Sequence, residues 1–199
     1  SSRREGIKIG CGMADSTSID LLFGRGHLPV RAPEAAQVNV IRKAPLRILP
    51  DPAGAVRDAL DHPLGSAPLR ELARGRKSAC ILICDITRPV PNGLFLRPMI
   101  ETMLAAGIPA SNICVLVATG LHRPNEGAEL DELVGDPWVR AHVRVENHFA
   151  RNDAEHIDLG VTSTRGTPVI IDRRFVEAEL RIATGLVEPH FMAGWSGGR

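Results

Sequence analysis

No tyrosine occurs in this 199-residue sequence, and phenylalanine and tryptophan bring the aromatic share to only 4%. Aromatic platforms on which nucleic-acid bases stack are therefore not expected. Charge of either sign is not in excess. The 24 Lys and Arg balance 23 Asp and Glu to a net charge of +1, which leaves no basic footprint for a polyanion. No apolar run reaches the roughly 18 residues of a transmembrane helix. The opening Ser-Ser-Arg-Arg-Glu-Gly is not followed by the apolar core of a signal peptide. Also missing are a Gly-x-Gly-x-x-Gly turn after the first strong apolar run and a phosphate-loop lysine motif, so an ordinary dinucleotide or NTP site is not indicated. The four cysteines, Cys11, Cys80, Cys84 and Cys114, lack metal-type spacing as a set. Cys80 and Cys84 sit inside one apolar run, which fits buried, reduced thiols and a cytoplasmic setting.

What is present is a regular alternation. Residues 6–12 and 18–23 read as short strands around a polar turn at Asp15-Ser16, residues 24–33 as a Gly/Pro-punctuated connection, and 37–41 as a further strand. This β-rich section, residues 1–49, is expected to pack on the main domain, residues 50–199. Asp51-Pro52 starts a helix, with Asp51 as its N-cap and Pro52 in the first helical position. A short helix over 67–74 and a continuous apolar strand over 78–86 follow. An amphipathic helix over 94–106, a strand over 112–118 and a helix over 125–133 come next. Strands over 143–146, 168–171 and 180–183 complete the set, with a brief helix over 174–178 before the last. Helices between apolar strands predict an α/β fold with a mostly parallel, Rossmann-like sheet.

In such sheets ligands sit outside the carboxyl ends of the strands. Three strands here run into unusual polar segments. Asp85-Ile86-Thr87-Arg88-Pro89 offers an acceptor, a hydroxyl and a guanidinium suited to a carboxylate or phosphate. Thr119-Gly120-Leu121-His122-Arg123-Pro124 carries a loop histidine after a strand-end glycine. Residues 185–199 place Glu188, Pro189 and His190 ahead of a run rich in small residues, whose N–H groups suit an anion. On residue types alone, Asp85 and Thr87 could equally cap a turn, and either histidine could be structural. His27, His62, His142, His148 and His156 lack comparable context and read as surface or structural.

Taken together, Asp85-Ile86-Thr87-Arg88-Pro89-Val90-Pro91, Thr119-Gly120-Leu121-His122-Arg123 and the closing Glu188-Pro189-His190-Phe191-Met192-Ala193-Gly194-Trp195-Ser196-Gly197-Gly198-Arg199 resemble the nickel-pincer lactate racemase family. The three motifs stand in the family's order and at similar spacing. Residues 51–60 and Pro63-Leu64-Gly65-Ser66 look like its lead-in. The resemblance implies the N-terminal domain of a two-domain enzyme that inverts a 2-hydroxy acid. It implies that Arg88 holds the substrate carboxylate and that His122 and His190 form an opposed acid/base pair. Asp85, Thr87, Ser196, Gly197 and Gly198 would help bind the nickel-pincer nucleotide. The lysine that tethers this cofactor is expected just after Arg199, and the family's nickel-binding histidine further on, so the 199-residue chain alone is expected to be inactive. Two other readings stay open: a non-catalytic phosphate- or nucleotide-binding module, and an epimerase acting on a sugar acid.

Overall fold

The computed structural model describes residues 18–41, 45, 47–192 and 194–197. The chain divides into two compact units at the step from Ile48 to Leu49. In the first unit, β1 (Ser18–Phe23) pairs antiparallel with β2 (Gly26–Arg31) through a two-residue turn at Gly24-Arg25. The segment expected to be a connection thus contains the second strand of a hairpin, because Gly24 takes the positive φ such a turn requires. No strand forms over residues 37–41. The strand expected over residues 6–12 lies outside the described residues.

The second unit begins with α1 (Pro52–Asp61), capped as its sequence predicts: Asp51 Oδ1 accepts from the Gly54 N–H at 2.8 Å. Helix α2 (Leu69–Ala73) leads into strand β3 (Ala79–Cys84). Then come α3 (Asn92–Ala105), β4 (Ile113–Ala118), α4 (Gly127–Val134), α5 (Pro137–His142) and β5 (Arg144–Asn147). Next, β6 (His156–Val161) and β7 (Pro168–Asp172) form an antiparallel pair, followed by α6 (Arg173–Glu177) and β8 (Leu180–Ala183). A last hairpin joins β9 (Glu188–His190) to β10 (Gly194–Ser196).

Four strands make one parallel sheet in the order β5-β4-β3-β8. Both faces are covered, which is why β3 and β4 read as unbroken apolar runs rather than alternating ones. The alternation is instead between two cores. Ile81, Ile83, Val115 and Val117 pack with Leu96, Ile100 and Met103 of α3 on one face. Cys80, Cys114 and Leu116 pack with Ala178 and Phe175 on the other. The strand expected over 168–171 exists as β7, but it stands outside this sheet. Its partner is β6, whose Asp158 and Gly160 obscured a strand pattern.

Because all four strands are parallel, their carboxyl ends lie along one edge. The residues that leave that edge are, in spatial order, His148, Thr119, Asp85 and Thr184. The ladders extend one step past the strands: His148 N–H donates to Val117 O at 3.0 Å, and Thr184 N–H to Leu82 O at 2.9 Å.

Candidate active site

Asp85 is the first residue after β3, and it is 5% exposed. Its backbone carbonyl accepts from the Arg88 N–H at 3.1 Å, which closes a turn. Its Oδ1 accepts from both the N–H (3.1 Å) and the hydroxyl (2.5 Å) of Thr87. Its Oδ2 lies 2.5 Å from Nδ1 of His122. Burial alone would push the Asp85 carboxyl up. The bonds from Thr87 and His122 outweigh it and hold the group below the ordinary carboxylate range. An ionised carboxylate only accepts, so His122 Nδ1 carries the proton of this bond and Nε2 of the neutral ring is left as an acceptor.

His122 reaches Asp85 because its own loop turns tightly. Its N–H donates to Thr119 O at 2.9 Å, and Gly120 between them has φ +58°, a conformation a residue with a Cβ resists. The His122 side chain is 58% exposed, so its outer nitrogen faces solvent while the inner one is held. The Thr119 hydroxyl donates to His148 O, which ties the start of this loop to the end of β5.

Arg88 projects from the turn begun by Asp85. Its Nε lies 3.7 Å from Glu188 Oε1, linking the first loop to β9. Glu188 and His190 are two residues apart in β9 and therefore share a face of it. In the β9–β10 register Glu188 stands opposite Ser196, and His190 opposite Gly194. The Met192 N–H donates to His190 Nδ1 at 3.2 Å, and the ring stacks on Phe191. That nitrogen is an acceptor, so a neutral His190 carries its proton on Nε2, the reverse of His122.

The structure thus joins Asp85, Thr87, Arg88 and His122 directly and brings the His190 strand to them through Glu188. Ser196 is half-buried in β10. Gly197 follows with φ +80°, and a Cβ there would fall 1.7 Å from Leu186 O, so only glycine lets the chain pass. The segment expected to be a glycine-rich loop is therefore partly a hairpin closed on its own entrance. Gly198 lies outside the described residues. The polar groups of Asp85 and Thr87 are both engaged within the chain.

Sequence reasoning missed several supporting residues. Glu188, to which residue type alone gives no role, is the partner of Arg88. Asn125 and Asn147 exchange two hydrogen bonds and have no motif of their own. His148, expected to be surface or structural, is structural: its Nδ1 lies 2.9 Å from Asp172 Oδ2. Asp172 also binds Arg174, which reaches Glu146 and Glu155 as well. Burial would raise the Asp172 carboxyl, but the Arg174 and His148 bonds hold it down at about 2.

An apolar cleft of about 590 Å³ runs beside β8, lined in part by Leu60, Leu69, Met99, Phe175 and Ile182. It offers no convergent acid and base, so the strand-end loops, not this cleft, are the candidate site. Among the described residues no three His, Cys, Asp or Glu side chains gather as a metal-ligand set. No described helix is long and apolar enough to cross a membrane.

Known proteins place these loops in context. Residues 23–199 match the model of the lactate racemase N-terminal domain. A lactate racemase of Lactiplantibacillus plantarum is 38% identical over 144 residues, covering 72% of this chain and 33% of that protein. One from Thermoanaerobacterium thermosaccharolyticum is 32% identical over 184 residues, covering 92% and 42%. The solved lactate racemase apoprotein from T. thermosaccharolyticum superposes with a TM-score of 0.70 at 28% identity, again covering 92% of this chain and 42% of the other. A Thermotoga maritima protein shares the fold at a TM-score of 0.59 and 19% identity. The chain spans less than half the length of the curated relatives it matches. With 177 of its 199 residues inside the family model (residues 23 to 199), the chain belongs to the lactate racemase N-terminal domain family.

Proposed function

We propose that this chain is the N-terminal domain of an enzyme that racemises a 2-hydroxy acid, with His122 and His190 as its acid/base pair. The observation that carries the reading is the Asp85–His122 pair at the strand-end edge, in the turn that also bears Arg88, which Glu188 links to the strand of His190. The neutral His122 ring, held by Asp85, offers Nε2 as a proton acceptor, and His190 is oriented by the Met192 N–H at Nδ1. A racemase needs two such groups. In one half-turnover one ring takes the hydroxyl proton of one enantiomer. In the next the other ring, as the imidazolium, gives a proton on the opposite face, with the roles exchanged in the reverse direction. The Asp85 carboxylate stabilises the imidazolium that forms on His122. We assign Asp85 this role, and Thr87 the role of holding Asp85, beside any contact they make to a cofactor.

Arg88 supplies the carboxylate anchor. Its Glu188 partner is 3.7 Å away and both side chains are about half exposed, so the pair is loose enough for a substrate carboxylate to replace Glu188. The 2-hydroxy acid's Cα proton is weakly acidic beside an ionised carboxylate, so proton abstraction from carbon is a poor route.

A nickel-pincer nucleotide, when bound, supplies hydride transfer to and from that carbon. Its nucleotide part suits the strand-end edge: positions 120 and 185 are glycines with open space where a Cβ would stand, and Ser196 stands opposite Glu188, the partner of Arg88. The histidine that binds nickel belongs, by the family resemblance, to the rest of the parent enzyme. The chain spans less than half the length of its curated relatives, so turnover is assigned to a parent-length enzyme rather than to residues 1–199 alone. The free, mostly buried thiols Cys80, Cys84 and Cys114 suit a cytoplasmic setting.

The test is a parent-length enzyme carrying this sequence, co-expressed with cofactor-synthesis enzymes, checked for nickel by elemental analysis and assayed on both enantiomers of lactate and of longer 2-hydroxy acids. Full nickel loading with no interconversion of any of them would sink the reading.

A further inference from the structure

Two hydrogen bonds join the loop after β3 to the loop after β4 among the described residues. One is the Asp85–His122 bond itself. The other is from the Ile86 N–H to Asn125 Oδ1, at 3.3 Å. Asn125 is 1% exposed, and each of its four polar atoms makes a hydrogen bond. Its backbone N–H donates to Asn147 Oδ1 (3.0 Å), its carbonyl accepts from Asn147 Nδ2 (2.8 Å), and its own Nδ2 donates to Glu129 Oε2 (2.8 Å). The amide orientation is fixed by this set. Reversed, it would set an NH₂ against the Ile86 N–H and an oxygen against the Glu129 carboxylate. Glu129 in turn grips Arg123, the neighbour of His122, through two bonds of 2.6 Å.

We propose that Asn125, clasped by Asn147, is the positioning residue that keeps the His122 ring on Asp85. His122 is more than half exposed, so packing does not fix the ring. Its place is set by the backbone on either side. Upstream, its N–H is tied to Thr119 O. Downstream, three residues on, Asn125 sets the distance from this loop to residue 86, next to Asp85. Asn147 ends β5, and its two bonds anchor the clasp to the sheet, so the span from β3 to the histidine loop is referenced to a rigid edge. Removing the Asn125 side chain leaves the half-buried Ile86 N–H without its partner. It also leaves the short Asp85–His122 bond to hold the loops alone. Misplacement of a catalytic group by about 1 Å can cost about 100-fold in rate.

This inference rests on the reading of His122 as a proton acceptor, but its test does not use turnover. The 199-residue chain, labelled with ¹⁵N-histidine, reports the tautomer of His122 through its ring nitrogen shifts at a pH where the ring is neutral. Asp85→Asn gives the reference without the carboxylate. The wild-type ring is expected as the Nδ1–H form. Asn125→Ala and Asn147→Ala are expected to lose that dominance and move towards the Asp85→Asn spectrum, with the amide signals of β3 and β4 unchanged. If Asn125→Ala fails to fold, Asn147→Ala decides, since it leaves the Asn125 side chain in place. A wild-type tautomer in the folded variants would overturn the proposal. Racemase kinetics on His122 variants address the base role separately, so the two ideas fail independently.

Discussion

Asp85 and His122 are 37 residues apart in sequence, yet Oδ2 of one lies 2.5 Å from Nδ1 of the other. The parallel sheet makes this meeting possible. Cys84 and Ala118 are register partners at the ends of β3 and β4, so the residues that follow them leave the sheet side by side. The aspartate is buried and the histidine is exposed, which divides the work between them. The carboxylate sets the tautomer, and the ring presents its other nitrogen outward.

The same edge holds a second Asp–His pair, Asp172 and His148, and it governs acid stability rather than chemistry. The folded carboxyl of Asp172 titrates at about 2 against an ordinary 3.8. A depressed folded value means stability that is fully present above the unfolded value and lost as pH falls through the folded one. Between about pH 4 and pH 2, this group alone is expected to remove on the order of 1–2 kcal/mol, allowing for solvent screening. Urea unfolding at pH 7 and pH 3 checks this. Asp172→Asn should lower stability at pH 7 and flatten its pH dependence across that window; an unchanged acid slope in the variant would refute the assignment.

Gly197→Ala is expected to open the closing hairpin while leaving the sheet folded. The φ of +80° disfavours any Cβ by about 1 kcal/mol, and the Cβ would collide with the Leu186 carbonyl, a backbone atom that cannot rotate away. Amide exchange of β9 and β10 should accelerate at least tenfold while that of β3 and β4 holds. Unchanged protection across residues 188–196 would count against the close approach.

How far this could be read from the sequence depends on where the information sits. β3, β4 and β8 were legible because a strand covered on both faces is a continuous apolar run. The convergence of Asp85, Thr119 and Thr184 follows once those strands are parallel. The β2 strand was not legible, since Gly26 and Pro29 read as breakers when the hairpin turn is not recognised. Nor was α5, a six-residue helix begun by Asp136 and Pro137 that merges in sequence with α4. The β6 strand fell below notice because its pairing with β7 is irregular between Asp158 and Val161. At the site, residue types pointed to Arg88, His122 and His190. The buried clasp of Asn125 and Asn147 was invisible, because an asparagine declares its partners only when another strand end arrives beside it.

The cysteines offer a simpler check. Cys80 and Cys114 are register neighbours on the α6 face, 1% and 3% exposed, and both are free thiols. The hydrogen bond to Cys114, together with burial, pushes the Cys80 thiol far up, so it resists forming a thiolate. A thiol reagent at pH 8 should leave Cys80 and Cys114 unmodified in the native protein. After denaturation without reductant it should titrate all four cysteines. Recovery of two or fewer would mean a disulfide and refute the free-thiol assignment, with the register neighbours Cys80 and Cys114 the pair to examine first.

The last prediction concerns the parent enzyme loaded with cofactor. His122→Ala and His190→Ala are each expected to stop racemisation in both directions, because each direction uses one ring to take a proton and the other to give one. Loss of a general acid or base costs about 10²–10⁴-fold, and here neither ring can cover for the other, since each serves one face of the substrate. Arg88→Ala should instead raise KM, since the anchor binds ground and transition states alike. Arg88→Lys should recover only part of that loss, because an ammonium lacks the planar fork. Glu188→Gln is expected to lower KM by about two- to fivefold, the equivalent of the roughly 0.5–1 kcal/mol that an exposed ion pair contributes. Steady-state kinetics on these variants, with cofactor occupancy measured by mass and absorbance, separate the roles. Near wild-type turnover by both histidine variants at full occupancy would show that the proton is carried elsewhere.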